Sequence, residues 1–317
     1  MHLTRSIENE FCMIRIAVIG IGQIARQQHL PVIAHDPDFT LVAAVSPVPT
    51  VVEVPVFRSL AELRKSGLAV DAVALCTPPD LRYALAYEAL SVGWHVLLEK
   101  PPTLTRSQAV ALVHLANQQN LTVFAAWHSV YSAAVPELRK VLPELGLKHV
   151  TITWKENAEK WHPGASWLWQ AGALGVFDAG INALSILCAV LPETVLYESA
   201  KLYFHAGQQA PCEATLSLRG CSSAVPISVQ FDWRHDPENE IWEIIWEGEN
   251  SNRVVLQDGG ARLFVNGCEM IQLPSQEYAG VYQHFASLIG QKMSSLDLGA
   301  LDLVTDALAF GERVHRQ

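Results

Sequence analysis

No stretch of the chain approaches the run of about 18 to 20 apolar residues that a membrane-spanning helix requires, so the sequence predicts no bilayer crossing. Residues 1–12, MHLTRSIENEFC, carry Glu8 and Glu10 ahead of any hydrophobic segment and offer no small-residue cleavage site, which argues against a secretion signal. They read as an untidy leader, with the fold beginning near Met13. Positive charge is also in short supply. Twenty-two Lys and Arg stand against 32 Asp and Glu, a net charge of −10, and phosphates would be repelled over most of such a surface. The expected partner is therefore a diffusible small molecule rather than a nucleic acid or a membrane. The six cysteines form no CxxC pair and show no metal-ligand spacing, and the 12 histidines include no HExxH. A reduced, cytoplasmic, metal-free protein is the plain reading. Repeats, linkers and low-complexity segments are missing as well.

What is present is a chain of 317 residues, half of them hydrophobic and 17% charged, enough for two domains with a large buried core. Ile14 to Ile19 is a short apolar strand running into Gly20-Ile21-Gly22-Gln23-Ile24-Ala25, a GxGxxA turn that opens a helix. In that context Gly20 permits the tight turn and Gly22 the close approach of a pyrophosphate. Ala25 allows the helix to pack on the strand, and the phosphates sit on the helix N-terminus formed by Gln23 and Ile24. A glycine turn without a ligand gives the same letters. The second strand, Thr40 to Val45, ends at Ser46-Pro47, where neither an acid for a ribose 2′-hydroxyl nor an Arg for a 2′-phosphate is found, so NAD and NADP both stay open.

Further strand and helix units follow. Ser59 with Glu62 makes a capping box, Ala72 to Cys76 is a strand, and a helix from about Asp80 to Val92 closes at Gly93. His95 to Leu98 is a strand, Thr105 with Gln108 caps another helix, and Thr122 to Ala125 is the next strand. This alternation predicts an α/β domain with a doubly wound parallel sheet over residues 13–128. Ligands of such sheets sit beyond the carboxyl ends of the strands, and three polar clusters fall there: Thr77-Pro78-Pro79, Glu99-Lys100-Pro101-Pro102 and Trp127-His128-Ser129. Lys100 is the most pointed of these, although a solvated Lys paired with Glu99 is the plainer alternative, and His128 fits a core histidine equally well.

Beyond about residue 130 the period changes to two. In Ile227, Val229, Phe231 and Trp233 against Ser228, Gln230 and Asp232, one face is apolar and the other polar. Strands are expected at Glu213 to Leu218, Ile227 to Trp233, Ile241 to Trp246 and Arg253 to Leu256, and helices at about Tyr278 to Ile289 and Leu301 to Val314. Residues 129–317 thus read as an α+β domain with a mainly antiparallel open sheet, whose last helix can pack back on the first domain. Its most unusual stretch is Trp161 to Asn182, WHPGASWLWQAGALGVFDAGIN. Trp161, Trp167 and Trp169 offer flat apolar faces, and Asp178 and Asn182 share one helical face at i and i+4, a combination suited to a sugar ring and one of its hydroxyls. Core tryptophans and an ordinary helix start are the bland counterpart.

The segments GIGQIARQQHLP, HVLLEKPP, AWHS, ITWKENAEKWHPG, WLWQAGALGVFDAGINALSI and FDWRH, in this order, resemble the Gfo/Idh/MocA family of NAD(P)-dependent oxidoreductases over essentially Met13 to Gln317. The resemblance is closest to its bacterial branch of L-arabinose and D-galactose 1-dehydrogenases. It implies a Rossmann domain, NAD or NADP as cofactor, and oxidation of the C1 hydroxyl of an aldopyranose to the lactone. It also implies roles: Lys100 and Asp178 beside the reacting hydroxyl with Asn182 next to them, and Glu156, Trp161, His162, His128 and Trp233 around the sugar. Most members of the wider family place a His four residues after the Asp. This chain has Asn182, which leaves a His-based proton relay without its histidine.

Hydride leaves C1 more readily as the C1 hydroxyl loses its proton, so the chemistry needs a base and a cation near the developing oxyanion. Asp178 suits the base and Lys100 the stabiliser, and the reverse assignment with a neutral Lys100 stays open because desolvation lowers a Lys pKa. Asn182 does not titrate and serves to orient the hydroxyl. Two other functions fit the same chain: an oxidoreductase of this family acting on an inositol or a sugar derivative, and a sugar sensor that binds cofactor without transferring hydride. An exposed antiparallel sheet face further suggests a homodimer through the C-terminal sheet.

Overall fold

The computed structural model describes residues 13–161, 163–274 and 276–316; of Trp161 only the backbone is described. The chain divides into two compact units. The first holds the described residues up to Ala126 together with Tyr278–Leu296, and the second holds Trp127–Glu277 and Asp297–Gln317 up to residue 316.

The first unit begins with β1 (Ile14–Ile19), a helical run through a π-helical turn (Ala25–His29) into α1 (Leu30–His35), and β2 (Phe39–Val45). β3 (Val56–Phe57), α2 (Leu60–Lys65), β4 (Ala72–Leu75), α3 (Pro79–Ser91), β5 (His95–Glu99), α4 (Arg106–Gln119) and β6 (Val123–Ala126) follow. The six strands form one parallel sheet in the order β3-β2-β1-β4-β5-β6, with its switch point between β1 and β4. Strands β4 and β6 are buried at every residue, as a parallel sheet covered on both faces requires. The expected caps are in place: Ser59 Oγ accepts from the amide of Glu62, and Thr105 Oγ1 from that of Gln108. Gly93 closes α3 at φ +91°, a conformation an L side chain resists.

The second unit starts with α5 (Val135–Val141) and β7 (His149–Lys155), then α6 (Ala158–Trp161) and α7 (Phe177–Val190). β8 (Val195–His205), β9 (Glu213–Gly220), β10 (Pro226–Asp232), β11 (Ile241–Glu247), β12 (Arg253–Gln257), β13 (Arg262–Val265) and β14 (Cys268–Gln272) come next. After α8 (Glu277–Gln291), most of which belongs to the first unit, the chain ends in α9 (Gly299–Phe310) and β15 (Glu312–Arg316). The strands form a nine-stranded sheet ordered β14-β13-β12-β11-β7-β10-β9-β8-β15. Only β10 with β7 and β15 with β8 run parallel; the other pairs are antiparallel.

One expectation fails at the C-terminus. The helix expected through Val314 stops at Phe310, because Gly311 is extended and hemmed in: a Cβ there would lie 2.5 Å from the carbonyl of Ala307 and 3.1 Å from Leu202. The residues after it join the sheet edge as β15, parallel to β8.

α8 closes the first unit from a distance in sequence. Tyr278, Val281, Tyr282, Phe285 and Leu288 line its buried stripe, the i, i+3, i+4, i+7 spacing of an amphipathic helix. Phe285 stacks at 6.0 Å from Phe39 and 6.1 Å from Phe124, and Tyr282 meets the Phe39 ring edge-on at 5.2 Å. The amide of Ala125 donates to Ser295, tying the following segment to β6.

Candidate active site

At the carboxyl ends of the parallel strands the first unit brings Gly20, Ser46, Thr77, Glu99 and Lys100 to one edge. Gly20 turns at φ +89°, its amide bonded to Val45 O at 2.9 Å, and a Cβ on it would press on Thr77 and Cys76 at 3.0 to 3.1 Å. Gly22 differs. A Cβ there would meet no heavy atom within 4 Å, so the protein's own packing does not demand glycine, whereas a pyrophosphate against the backbone does. Thr77 Oγ1 is buried with no hydrogen-bond partner among the described residues, an unmet polar atom beside that turn. These features fit a dinucleotide. Gln23 and Ile24 open the helical run, and Pro78 precedes α3 as its N-cap.

Glu99 and Lys100 are separated by the way β5 ends. Glu99 is 2% exposed, and its carboxylate faces inward, accepting from Tyr278 Oη at 2.6 Å, from the Lys100 amide at 3.0 Å and from His29 Nε2 at 3.0 Å. His29 is fully buried and its Nδ1 lies 2.8 Å from Tyr282 Oη. Burial works against a charge on His29, and Cys76, Tyr282 and Glu99 outweigh it, holding the imidazole pKa well above its ordinary value. The first unit therefore carries a buried His29 and Glu99 pair directly behind Lys100. Arg82, 6% exposed on α3, completes the support: its guanidinium donates to Thr77 O at 2.8 Å, to Glu99 O at 2.9 Å and to Pro101 O. Lys100 thus stands on a loop whose flanking carbonyls are pinned by one side chain. Its peptide bond to Pro101 is cis.

In the second unit α7 positions Asp178 and Asn182. Gly175, at φ +55°, leads into it, and a Cβ there would lie 2.2 Å from Pro211 O; the Val176 amide donates to that same carbonyl at 2.8 Å. Gly180 lets the helix settle on β10, since a Cβ would come within 2.5 Å of the Phe231 ring. Asp178 lies in the first turn and Asn182 one turn on, 7% exposed, with an Oδ1 that has no donor among the described residues. A buried carbonyl oxygen without a protein donor is one that a ligand hydroxyl satisfies.

The other expected sugar residues follow from the sheet register. β7 and β10 are parallel neighbours with Lys155 opposite Asp232, so Glu156 and Trp233 emerge side by side. Trp233 Nε1 donates to Glu156 Oε1 at 2.6 Å, and the Trp169 ring meets Trp233 edge-on at 5.9 Å. Trp233 is only 2% exposed, so it forms the wall behind Glu156, while Trp167 is 49% exposed. Trp233→Phe, which keeps a ring and removes the donor, is expected to raise the sugar KM about 10- to 100-fold with the cofactor Kd unchanged, since a hydrogen bond to a charged group contributes about 1.5 to 3 kcal/mol. Equal losses for both ligands would remove Trp233 from sugar binding. His128 Nδ1 pairs with Glu277 Oε2, whose other oxygen accepts from Ser132 Oγ at 2.8 Å, and Trp127 Nε1 donates to Asp297 O at 2.8 Å. His162 and the Trp161 side chain lie outside the described residues.

Two groups of residues escape the sequence reading. Trp154 and Trp242 face each other across β7 and β11, ring centroids 5.3 Å apart, and both indole N–H groups are buried without a partner among the described residues. Trp154 continues the Val150, Ile152 alternation, the signal that could have found it. The His29, Tyr278, Tyr282 and Arg82 support has no such local signal. No metal site was expected; among the described residues His205, Cys212 and Glu213 bring ligand atoms within 4.8 Å of one another, yet the Cys212 thiol donates to Tyr203 O and its pKa is raised by burial, and Glu213 pairs with Arg316.

The profile of the Gfo/Idh/MocA oxidoreductases, described as an oxidoreductase family with an NAD-binding Rossmann fold, matches residues 14–127. The chain is 40% identical over 302 residues to a galactose 1-dehydrogenase of Pseudomonas fluorescens, covering 95% of this chain and 97% of that one. The crystal structure of a D-galactose-1-dehydrogenase from Rhizobium etli superposes with a TM-score of 0.91 at 40% identity, over 96% of this chain and 97% of the other. A 3-ketoreductase from Actinomadura kijaniata in complex with TDP-benzene and NADP shares the fold, with a TM-score of 0.80 at 18% identity over 96% and 100% of the two chains. A glycine turn fitted to a pyrophosphate, the strand order of a dinucleotide-binding sheet and near full-length similarity to these dehydrogenases agree, and the chain belongs to the Gfo/Idh/MocA family of NAD(P)-dependent oxidoreductases.

Proposed function

We propose that the protein is an aldose 1-dehydrogenase that oxidises the C1 hydroxyl of an aldopyranose of the D-galactose, L-arabinose or D-fucose type to the aldonolactone. Similarity to galactose 1-dehydrogenases along nearly the whole chain carries this reading. The first unit holds the cofactor through Gly20, Gly22, Gln23, Ile24, Ser46, Thr77 and Pro78, and Trp127 and His128 are further candidates for cofactor contact. Bound NAD or NADP would supply the hydride acceptor for C1. Asp178 takes the hydroxyl proton, Asn182 orients that hydroxyl through its unmet Oδ1, and Lys100 stabilises the developing oxyanion. Glu156, Trp161, His162 and Trp233 hold the rest of the ring. Glu99 acts on Lys100 from behind, through its amide.

The test is a panel of aldoses and inositols with NAD and NADP, followed through reduced nicotinamide. Turnover of galactose-type pyranoses is expected; turnover of inositols alone, or none despite tight sugar binding, would replace the reading by one of its two alternatives. The proposal includes a homodimer through the open sheet face, where Thr215, Ser217, Ser228 and Gln230 are exposed, and a cytoplasmic location, with which the five unpaired cysteines among the described residues accord. No helix among the described residues is long and apolar enough to cross a membrane.

A further inference from the structure

We propose that Arg26 reads the adenosine ribose of the cofactor as the partner of a 2′-phosphate, so that the chain favours NADP. This rests on the first unit being the cofactor-binding unit and deepens that reading. In a sheet of this strand order the ribose lies against the carboxyl end of β2, where an acid accepts from a 2′-hydroxyl or a nearby Arg neutralises a 2′-phosphate. β2 ends at Val45, and the segment from Ser46 to Phe57 holds a single acid, the exposed Glu53. Ser46 is 5% exposed and its hydroxyl donates its only proton to Val48 O at 2.7 Å. What it retains is acceptor capacity, which suits a hydroxyl and does nothing for phosphate oxygens.

The missing cation comes from the other side of the turn. Arg26 lies one residue beyond the GxGxxA motif, in the π-helical turn, and its guanidinium reaches over the loop that follows β2, bonding to Thr50 Oγ1 and, at 3.4 Å, to Val51 O. Those two bonds hold the planar fork at the β2 end with N–H donors left over, on an exposed side chain that carries its charge to solvent. The same turn is fastened to β2 by the Gly20 amide on Val45 O, so the pyrophosphate turn and the Arg move as one piece. A sequence scan for an Arg at the end of the second strand passes over it, because it sits about 20 residues upstream of the place it serves.

Titration calorimetry with adenosine 2′,5′-bisphosphate and with 5′-AMP, followed by NADP and NAD, tests this without relying on turnover. Wild type is expected to bind the 2′-phosphorylated ligands about 10- to 100-fold more tightly than their counterparts, the span set by one charge-assisted contact, with the gap shrinking as salt is raised. Arg26→Ala should abolish the gap while changing 5′-AMP affinity less than about twofold, and Arg26→Lys should restore part of it, a point charge replacing a fork. Equal affinity of wild type for both adenosine ligands, or equal loss of both in Arg26→Ala, would falsify the proposal. Failure of wild type to bind any of the four overturns the cofactor reading beneath it, an outcome distinct from either of those.

Discussion

Replacing Asp178 by Ala is expected to lower kcat by about 100- to 10,000-fold, the usual cost of losing a positioned acid or base, equivalent to about 2.7 to 5.5 kcal/mol of barrier. The fold should survive, because Asp178 is partly exposed in the first turn of α7. Lys100→Ala should fall in the same range, and the loop that carries it keeps the Arg82 bonds to Glu99 O and Pro101 O. Which of the two is the base is read from the pH dependence of kcat/KM: the variant that loses the acid limb has lost the base. Near-normal turnover in a well-folded Asp178→Ala would dismiss the mechanism outright. Asp178→Asn keeps the shape and a hydrogen bond, so rescue by Asn would demote Asp178 to an orienting group.

Glu99→Leu should have the largest effect on stability, about 3 to 5 kcal/mol, the cost of removing one partner from a buried charge pair. The leucine leaves the His29 imidazole, the Tyr278 hydroxyl and the Lys100 amide without their acceptor. pH gives a second readout with a definite sign. In the wild type the His29 pKa is raised above its ordinary 6.5, so its contribution is fully present below that value and is lost as pH rises through the raised one. In Glu99→Leu one raising partner is gone while Cys76 and Tyr282 remain, so the His29 pKa should fall from its wild-type position and the loss of stability should set in at lower pH. Urea midpoints measured from pH 5 to 9 on both proteins decide it. Parallel curves would mean that His29 is not the cation inferred here.

The parts of the molecule legible in sequence are those whose physics is local. β1 with its glycine turn, the capped helices and the period-two strand β10 announce themselves within a few residues, and α7 does so through its apolar face interrupted by Asp178 and Asn182. β8 was hidden because a bulge between Tyr197 and Ser199 breaks its alternation, and β15 because ERVHR at a sheet edge has no apolar face to show. The support behind Lys100 is illegible for another reason. His29 meets Glu99 across 70 positions and Tyr282 across 253, and no spacing rule joins residues that only folding brings together. Among the candidate site residues, Lys100 and Asp178 stood out by chemical type, whereas the Trp154 and Trp242 pair needed the register of β7 on β11.

The return of α8 to the parallel sheet has a consequence for the order in which the protein is made. Phe39 and Phe124 emerge early during synthesis, but the ring that stacks between them, Phe285, belongs to a segment translated only after the whole nine-stranded sheet except its last strand. The dinucleotide-binding unit therefore stays incomplete on the ribosome, with an aromatic face in water, until α8 has emerged. A fragment ending at Ala126 contains every strand of that sheet and the glycine turn, yet it lacks the helix that covers them. Such a fragment is a sticky intermediate rather than a free-standing module.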